Sequence, residues 1–405
     1  MVKYIRIPLI LLFFVSFLST CIDPFSPKLK GTQALLVVDA LLTNENRSCY
    51  VKLSKPRQLQ NYERPMVSGA TITIRAINGV STTLRETTPG VYKTDSLLFH
   101  GETGNTYILY IKTPEGTEYE SDPCTMYPVQ QIDRIYFDKD QEILNNGRET
   151  QTGIRIFLDT ENSSDSKYLR WTYNEYWKFS VPDPKTFDYI NEMNINEVEQ
   201  VKQVCWAYNK SDEILIQSVE SSQANKIEKE PILFIASDMS DRFLIQYCIE
   251  VKQLSLSKPE FEFWDHMKQI NETGSDIFEK QPFSVNSNIH NLINPDETVL
   301  GYFQVSSVEQ KRFYIIPGDL SDFNLPVYKY DCKGVEVAPG DYLPLKITFD
   351  EIYARFISNG FAFVRPIYSM AGGLQTMVFA LPACTDCTLR GNLKKPDFWI
   401  DLVKP

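Results

Sequence analysis

Over residues 169–181 the large apolar side chains fall on odd positions: Leu169, Trp171, Tyr173, Trp177, Phe179 and Val181, with polar residues or Tyr176 between them. Side chains two residues apart share a face only when the backbone is extended, so this spacing predicts a long strand, interrupted at Glu175. The same alternation recurs near the start of the chain. Thr71 to Ile77 places Ile72, Ile74 and Ala76 on one face, and Asn78-Gly79 follows as a hairpin turn, whose central residues both need positive φ. Residues 35–41 form a buried-strand run and 49–53 alternate. Residues 107–112 make another strand, entered through Gly104-Asn105 and left through Pro114-Glu115-Gly116. The content of 22 Tyr and 24 Phe suits pleated, half-buried surfaces. Each ring is read first as core and second as a stacking surface for a ligand.

These strands and turns predict a β-sandwich over 34–127, without a helix, and a junction at the proline-containing stretch Pro123 to Val129. A larger β-rich domain follows over 128–405, with strands near 204–208, 214–219, 232–236, 243–254, 299–305 and 311–316. Pro182 to Glu199 reads as a polar excursion outside the core. One helix is well marked: Ser257 caps it, Pro259, Glu260 and Glu262 suit its first turn, and Gly274 ends it. Phe263, Met267 and Ile270 give it a stripe for packing on a sheet. A second helix spans 349–357, and the rings of Phe398 and Trp399 pin the C-terminal segment to the body.

The N-terminus constrains where this chain folds. Lys3 and Arg6 precede an apolar run, Ile7 to Leu18, that ends in Leu18-Ser19-Thr20-Cys21. Its dozen or so apolar residues fall short of the ~20 of a spanning helix and match an export signal. Cys21 stands where a bacterial lipoprotein signal places the thiol that becomes acylated. Residues 1–20 then form the signal peptide and 21–33, with two prolines, a lipidated tether. Loss of Lys3 and Arg6 would leave 39 basic against 52 acidic side chains, a mature charge of −13. That charge excludes nucleic acid as a partner and docking on anionic lipid by charge, leaving the acyl chains to hold the membrane. Seven of the eight cysteines remain once Cys21 is acylated, so at least one thiol stays unpaired or pairs outside the chain. The tight pair Cys384 and Cys387 sits in loop sequence, without the helix start of a redox motif or a second pair for zinc. A structural disulfide using Cys384 or Cys387, with Cys332 as a candidate partner, is the expected use.

Chemistry is otherwise sparse. His100, His266 and His290 are scattered, and zinc-protease, serine-hydrolase and nucleotide-loop signatures are missing. Asp138-x-Asp140-x-Glu142 and Asp159-x-Glu161 to Asp165 space oxygens as calcium loops do, but lack the EF-hand glycine and read as solvated turns. No catalytic residue, metal or cofactor is expected, and the chain is read as non-enzymatic. A carboxylate-dependent hydrolase would require two acids that the fold brings together.

An ordered set of short motifs runs through the chain. Cys21 with Pro24, Leu35 to Asp39, Val67 to Ala70 and Pro89-Gly-Val-Tyr92 are followed by Cys205-Trp206, Gly274-Ser-x-x-Phe278, Gln281-Pro282 and Asn288-Ile289. Gly301-Tyr-Phe303, Cys384-x-x-Cys387 and Lys395-Pro-Asp-Phe-Trp399 complete it. In order and spacing this resembles the domain-of-unknown-function 4249 family of Bacteroidota lipoproteins, although Ala40 and Ser287 stand where members usually carry glycine. The N-terminal part is similar to transthyretin-type sandwiches. The fold class implied is mainly β: an immunoglobulin/transthyretin-like sandwich, then a larger β-rich domain with one or two helices. The resemblance implies an outer-membrane lipoprotein working beside a TonB-dependent transporter in nutrient uptake, which would capture substrate or cover the barrel mouth, and exposed aromatics would supply stacking contacts to a sugar or peptide ligand. The expected location is the cell surface rather than the periplasmic leaflet. A surface adhesin or assembly protein, binding another protein through the sandwich, is the alternative.

Overall fold

The computed structural model describes residues 35–56, 64–95, 98–144, 147–161, 166–220, 226–273, 287–342 and 347–402. Cys21, the signal, the tether, Gly274, Phe278 and Gln281-Pro282 lie outside them. The predicted early strands form where alternation placed them, as Val37–Thr43, Tyr50–Ser54, Thr71–Ala76 and Thr106–Lys112. Gly79 takes φ +96° in the turn that leads from Thr71–Ala76 into Ser81–Thr83. No helix occurs in this region among the described residues, and two mainly antiparallel sheets close on a core of Val38, Leu42, Val51, Ile72, Ile74, Tyr92, Tyr107 and Leu109.

This first sandwich is completed from far along the chain. Leu300–Ser306 lies parallel to Val37–Thr43 at the edge of one sheet, and Ile289–Asn291 pairs with Glu118–Ser121 at the edge of the other. Ile289, Val299, Phe303 and Val305 join its core, so the sandwich extends beyond a division at residue 127. A Cβ on Gly301 would lie 1.9 Å from the Val38 carbonyl oxygen, so only glycine allows the close approach. Asn288 locks the return: its side chain accepts from the Phe303 N–H at 2.9 Å and donates to the Phe303 carbonyl at 3.1 Å.

A second sandwich lies between. Three strands, Ile132–Leu144, Glu149–Thr160 and Glu230–Ala236, share a core with the sheet of Tyr168–Ser180, Val204–Lys210, Gln246–Leu256 and Val308–Ile315. Tyr168–Ser180 runs unbroken through Glu175, which continues the inward face and is 1% exposed. Its carboxylate accepts from Arg242 at 2.8 and 3.2 Å, from the Tyr247 hydroxyl at 3.0 Å and from Asn209 at 2.7 Å. Four donors offset the desolvation that would otherwise break the pattern there.

A smaller layer follows, in which Val335–Val337, Leu374–Ala380 and Ala362–Tyr368 carry the helix Phe349–Ser358. Thr348 caps that helix by a reciprocal bond with Glu351. The stretch read as an excursion belongs here: Phe187–Asn191 and Asn194–Glu197 form a hairpin whose Tyr189 is buried against Tyr353 and Phe363. Period-two signals are short in this hairpin, which is anchored by Tyr189 with Phe187 and Ile195 packed beside it. Of the pairings left open by the sequence, Cys384 takes Cys332, while Cys387 takes Cys205 of the second sandwich across 182 residues of sequence. Cys49, Cys124 and Cys248 are free.

The long helix Lys258–Thr273 starts at Ser257, whose hydroxyl accepts from the Glu260 N–H at 3.3 Å. It leads from the second sandwich back toward the first. At that junction the Arg170 guanidinium lies 3.5 Å from the centre of the Trp264 ring and donates to Gln304 at 3.0 Å. Glu260 is buried beside it with Oε1 unpartnered. No described helix is long and apolar enough to cross a membrane. At the C-terminus Trp399 packs edge-on against Trp206 and Tyr314, and Phe398 lies under Arg312 and against Tyr176, as the two rings suggested.

Candidate functional site

Three concave regions of the described surface differ in what they offer a ligand. At one end of the first sandwich, a cleft of about 340 Å³ includes Lys55, Thr113, Glu115, Tyr119, Asn294 and Glu297. It holds two carboxylates, the arrangement a hydrolase would need, but neither is set up as a general acid. Glu297 has both oxygens engaged, by the Tyr119 hydroxyl at 2.8 Å and Asn291 at 2.6 Å. A hydrogen bond from its own backbone N–H holds the exposed Glu115 carboxyl below the usual range, whereas a glycosidase acid must be raised.

The outer face of the three-stranded sheet forms an open hollow of about 520 Å³ around Asp138, Asp140, Arg155, Phe157 and Lys229. The calcium-like spacing falls here, on a strand. Arg155 occupies Asp140 at 2.5 Å and Glu142 at 2.8 Å, and Lys229 lies 3.5 Å from Asp138. Ring faces are covered as well, with Lys229 over Phe157 and Arg155 over Phe234. Charges paired with charges, and rings capped by cations, leave little for a stacked sugar. Asp159 likewise spends its oxygens on Arg134, Tyr136 and the Lys229 N–H. No group of three His, Cys, Asp or Glu among the described residues could hold a metal.

The third region is a groove of about 410 Å³ between two walls of the second sandwich. One wall is the turn after Glu230–Ala236, with Ser237, Ser240, Phe243 and Leu244. The other is the helical turn Pro317–Phe323 and the chain after it, with Leu320, Ser321, Asn324 and Val327. Pro317-Gly318 begins that turn, and Asn324, at φ +47°, ends it. Leu320, Phe323 and Leu325 are half-buried against the core and fix the wall. Beneath the other wall, buried Asp241 accepts from Trp177 at 3.0 Å, Tyr330 at 2.7 Å and Arg390 at 2.9 Å, which holds the turn rigid.

None of the twelve lining residues is an Asp, Glu, Lys, Arg or His, in a chain whose formal charge is −11. Ser240 occupies the N-cap position of Asp241–Phe243, yet its hydroxyl makes no cap bond and is buried without any partner. A cap serine ordinarily satisfies a backbone N–H, so this one is left over for something else. Apolar walls with a few convergent hydroxyls are the usual make-up of a binding pocket.

The sequence profile described as Domain of unknown function (DUF4249) matches residues 22–312, more than half of the chain. The chain belongs to the DUF4249 family. No curated protein and no solved structure matches it. The matched stretch contains the Ser237 to Leu244 wall of the groove, and the wall from Pro317 onward lies past its end.

Sequence reasoning nominated none of these groove residues. The two prolines, Pro317 and Pro326, were the available signal, since they punctuate a stretch with no alternation. Among the candidates it did name, Cys332 and Cys384 are bonded to each other and Cys387 is bonded to Cys205, and none of them lines the groove. His290 stands on a strand with Nε2 3.2 Å from Asp122, exposed. The thiols of Cys124 and Cys248 are pushed up to about 12 by burial, which makes them inert as nucleophiles.

Proposed function

We propose that this DUF4249 member is a non-catalytic outer-membrane lipoprotein, acylated at Cys21, that captures ligand for a TonB-dependent transporter or covers its mouth. The observation that carries the capture role is the groove between Ser240 and Val327, built from apolar, hydroxyl and amide groups with no Asp, Glu, Lys, Arg or His in its lining. It offers a neutral ligand a place to bind and offers a reaction neither acid, base nor activated nucleophile. Two disulfides suit a chain that folds outside the cytoplasm, in keeping with the export-type N-terminus. Tethering by lipid raises the local concentration of a partner to about the millimolar range, so even a weak contact with the barrel would be largely occupied.

Purification from native membranes in mild detergent tests the transporter part. Recovery of a barrel with the protein is expected; recovery of the protein alone counts against it. Mass spectrometry of the mature N-terminus should find acylated Cys21. Protease treatment of intact cells should cleave the protein if it stands on the cell surface and spare it on the periplasmic leaflet.

A further inference from the structure

The capture reading leaves the ligand open, and the second wall of the groove narrows it. Leu325 precedes Pro326, so the pair is held extended: proline fixes its own φ near −65° and drives the residue before it out of the helical region. Residues 324–334 adopt no regular structure. Among the described residues, their peptide groups make no backbone–backbone hydrogen bond. Only the Pro326 carbonyl is engaged in the groove, by the Ser237 hydroxyl at 2.6 Å. Pro326 anchors the wall and offers neither an N–H nor a free carbonyl, so the unpaired backbone groups there are those of Leu325, Val327 and Tyr328. The wall runs beside aliphatic side chains and faces an unpartnered buried hydroxyl.

We infer that the groove takes an extended, uncharged peptide segment bearing aliphatic side chains, held by backbone hydrogen bonds to Leu325, Val327 and Tyr328. This rests on the capture reading and specifies its ligand. Strand addition of this kind draws affinity from main-chain pairing and specificity from side-chain pockets. Here Leu244, Leu320 and Val327 supply the apolar contacts and Ser240 an extra polar one. A charged side chain would lose its hydration with no counter-charge in the lining, which selects against it. A sugar is the poorer fit: half of the lining is aliphatic or proline, Phe243, 9% exposed, already meets Tyr247 edge-on, and Tyr328 meets Tyr330 edge-on.

The test uses the full-length protein in lipid nanodiscs, titrated calorimetrically with a capped neutral hexapeptide alternating leucine and serine. Controls are the same peptide with a central aspartate, its backbone N-methylated form, and a neutral hexasaccharide. The neutral peptide should bind, and the aspartate and N-methylated forms should bind at least tenfold more weakly. Val327→Asp should lower affinity at least tenfold with no change in melting temperature, because Val327 is 65% exposed. Ser240→Ala should weaken binding several-fold. Equal affinity for parent and V327D, binding of the hexasaccharide in place of the peptide, or binding of neither would each overturn the inference. Barrel recovery from native membranes is read separately. Peptide binding without a barrel sinks the transporter partnership and keeps the groove; a barrel without peptide binding does the reverse.

Discussion

Between the sheets of the first sandwich lie Val38, Leu42, Ile72, Ile74 and Leu109, and no charged side chain is buried there among the described residues. The second sandwich buries Glu175 among Trp171, Tyr173 and Tyr247, with Arg242 drawn in to meet it. Asp241 with Arg390, and Glu250 with Arg312, repeat the device nearby. The first interior is specified by shape and hydrophobicity, which tolerate many sequences. The second adds hydrogen-bonded charge, which tolerates few partners and holds particular loops in place. Arg242 and Asp241 both belong to the turn that forms one wall of the groove. The difference teaches that the polar interior lies under the surface proposed to bind, where rigidity is useful.

The largest expected effect that sharpens this contrast is at Arg242. Arg242→Ala leaves Glu175 buried with its ion-pair partner gone and should cost about 3–5 kcal/mol in urea unfolding. Exposed Arg75 in the first sandwich should tolerate the same change within about 0.5 kcal/mol. Next comes the disulfide that ties the smaller layer to the second sandwich. The double variant Cys205→Ser, Cys387→Ser should lose about 2–5 kcal/mol and expose the layer to proteolysis, leaving the first sandwich protected.

A third effect lies between the sandwiches. Burial holds the Glu260 carboxyl well above its usual range, with Arg170 pulling the other way. The folded chain then keeps a proton that the unfolded chain releases near pH 4.5. The stability this proton contributes is complete below that pH and is lost as pH rises toward the folded value. Glu260→Gln should flatten that decline and gain on the parent in melting temperature as pH is raised from 5 to 8. The smallest effect is on the outer surface of the first sandwich. Breaking the exposed Lys112–Glu118 pair, 2.9 Å apart, should change stability by no more than about 0.5 kcal/mol and vanish in high salt.

Legibility in the sequence follows the same contrast. Alternation placed the strands around Ile72, Ile74, Trp171 and Phe179 because one face of each is apolar, and capping chemistry placed the helix that begins after Ser257. Glu175 was misread as a break, since the donors that make its burial tolerable come from residues 209, 242 and 247. The hairpin around Tyr189 was missed for a similar reason: its neighbours Tyr353 and Phe363 are remote in sequence. Cys205 could not be matched to Cys387 without knowing that strand Val204–Lys210 passes under the last turns of the chain. The groove left the faintest trace. Its walls are turns and irregular chain, which carry no periodicity, and its signature is the lack of charge in residues far apart in sequence.

The parallel pairing of Val37–Thr43 with Leu300–Ser306 has a consequence for how the molecule is made. A growing chain displays the 37–43 ribbon long before residue 306 is available to clasp it. Throughout that interval one sheet margin is bare, an invitation to mispairing with a neighbour. Arrested translation products ending between 130 and 280 should therefore clump or recruit holding factors, whereas products past about 310 should settle.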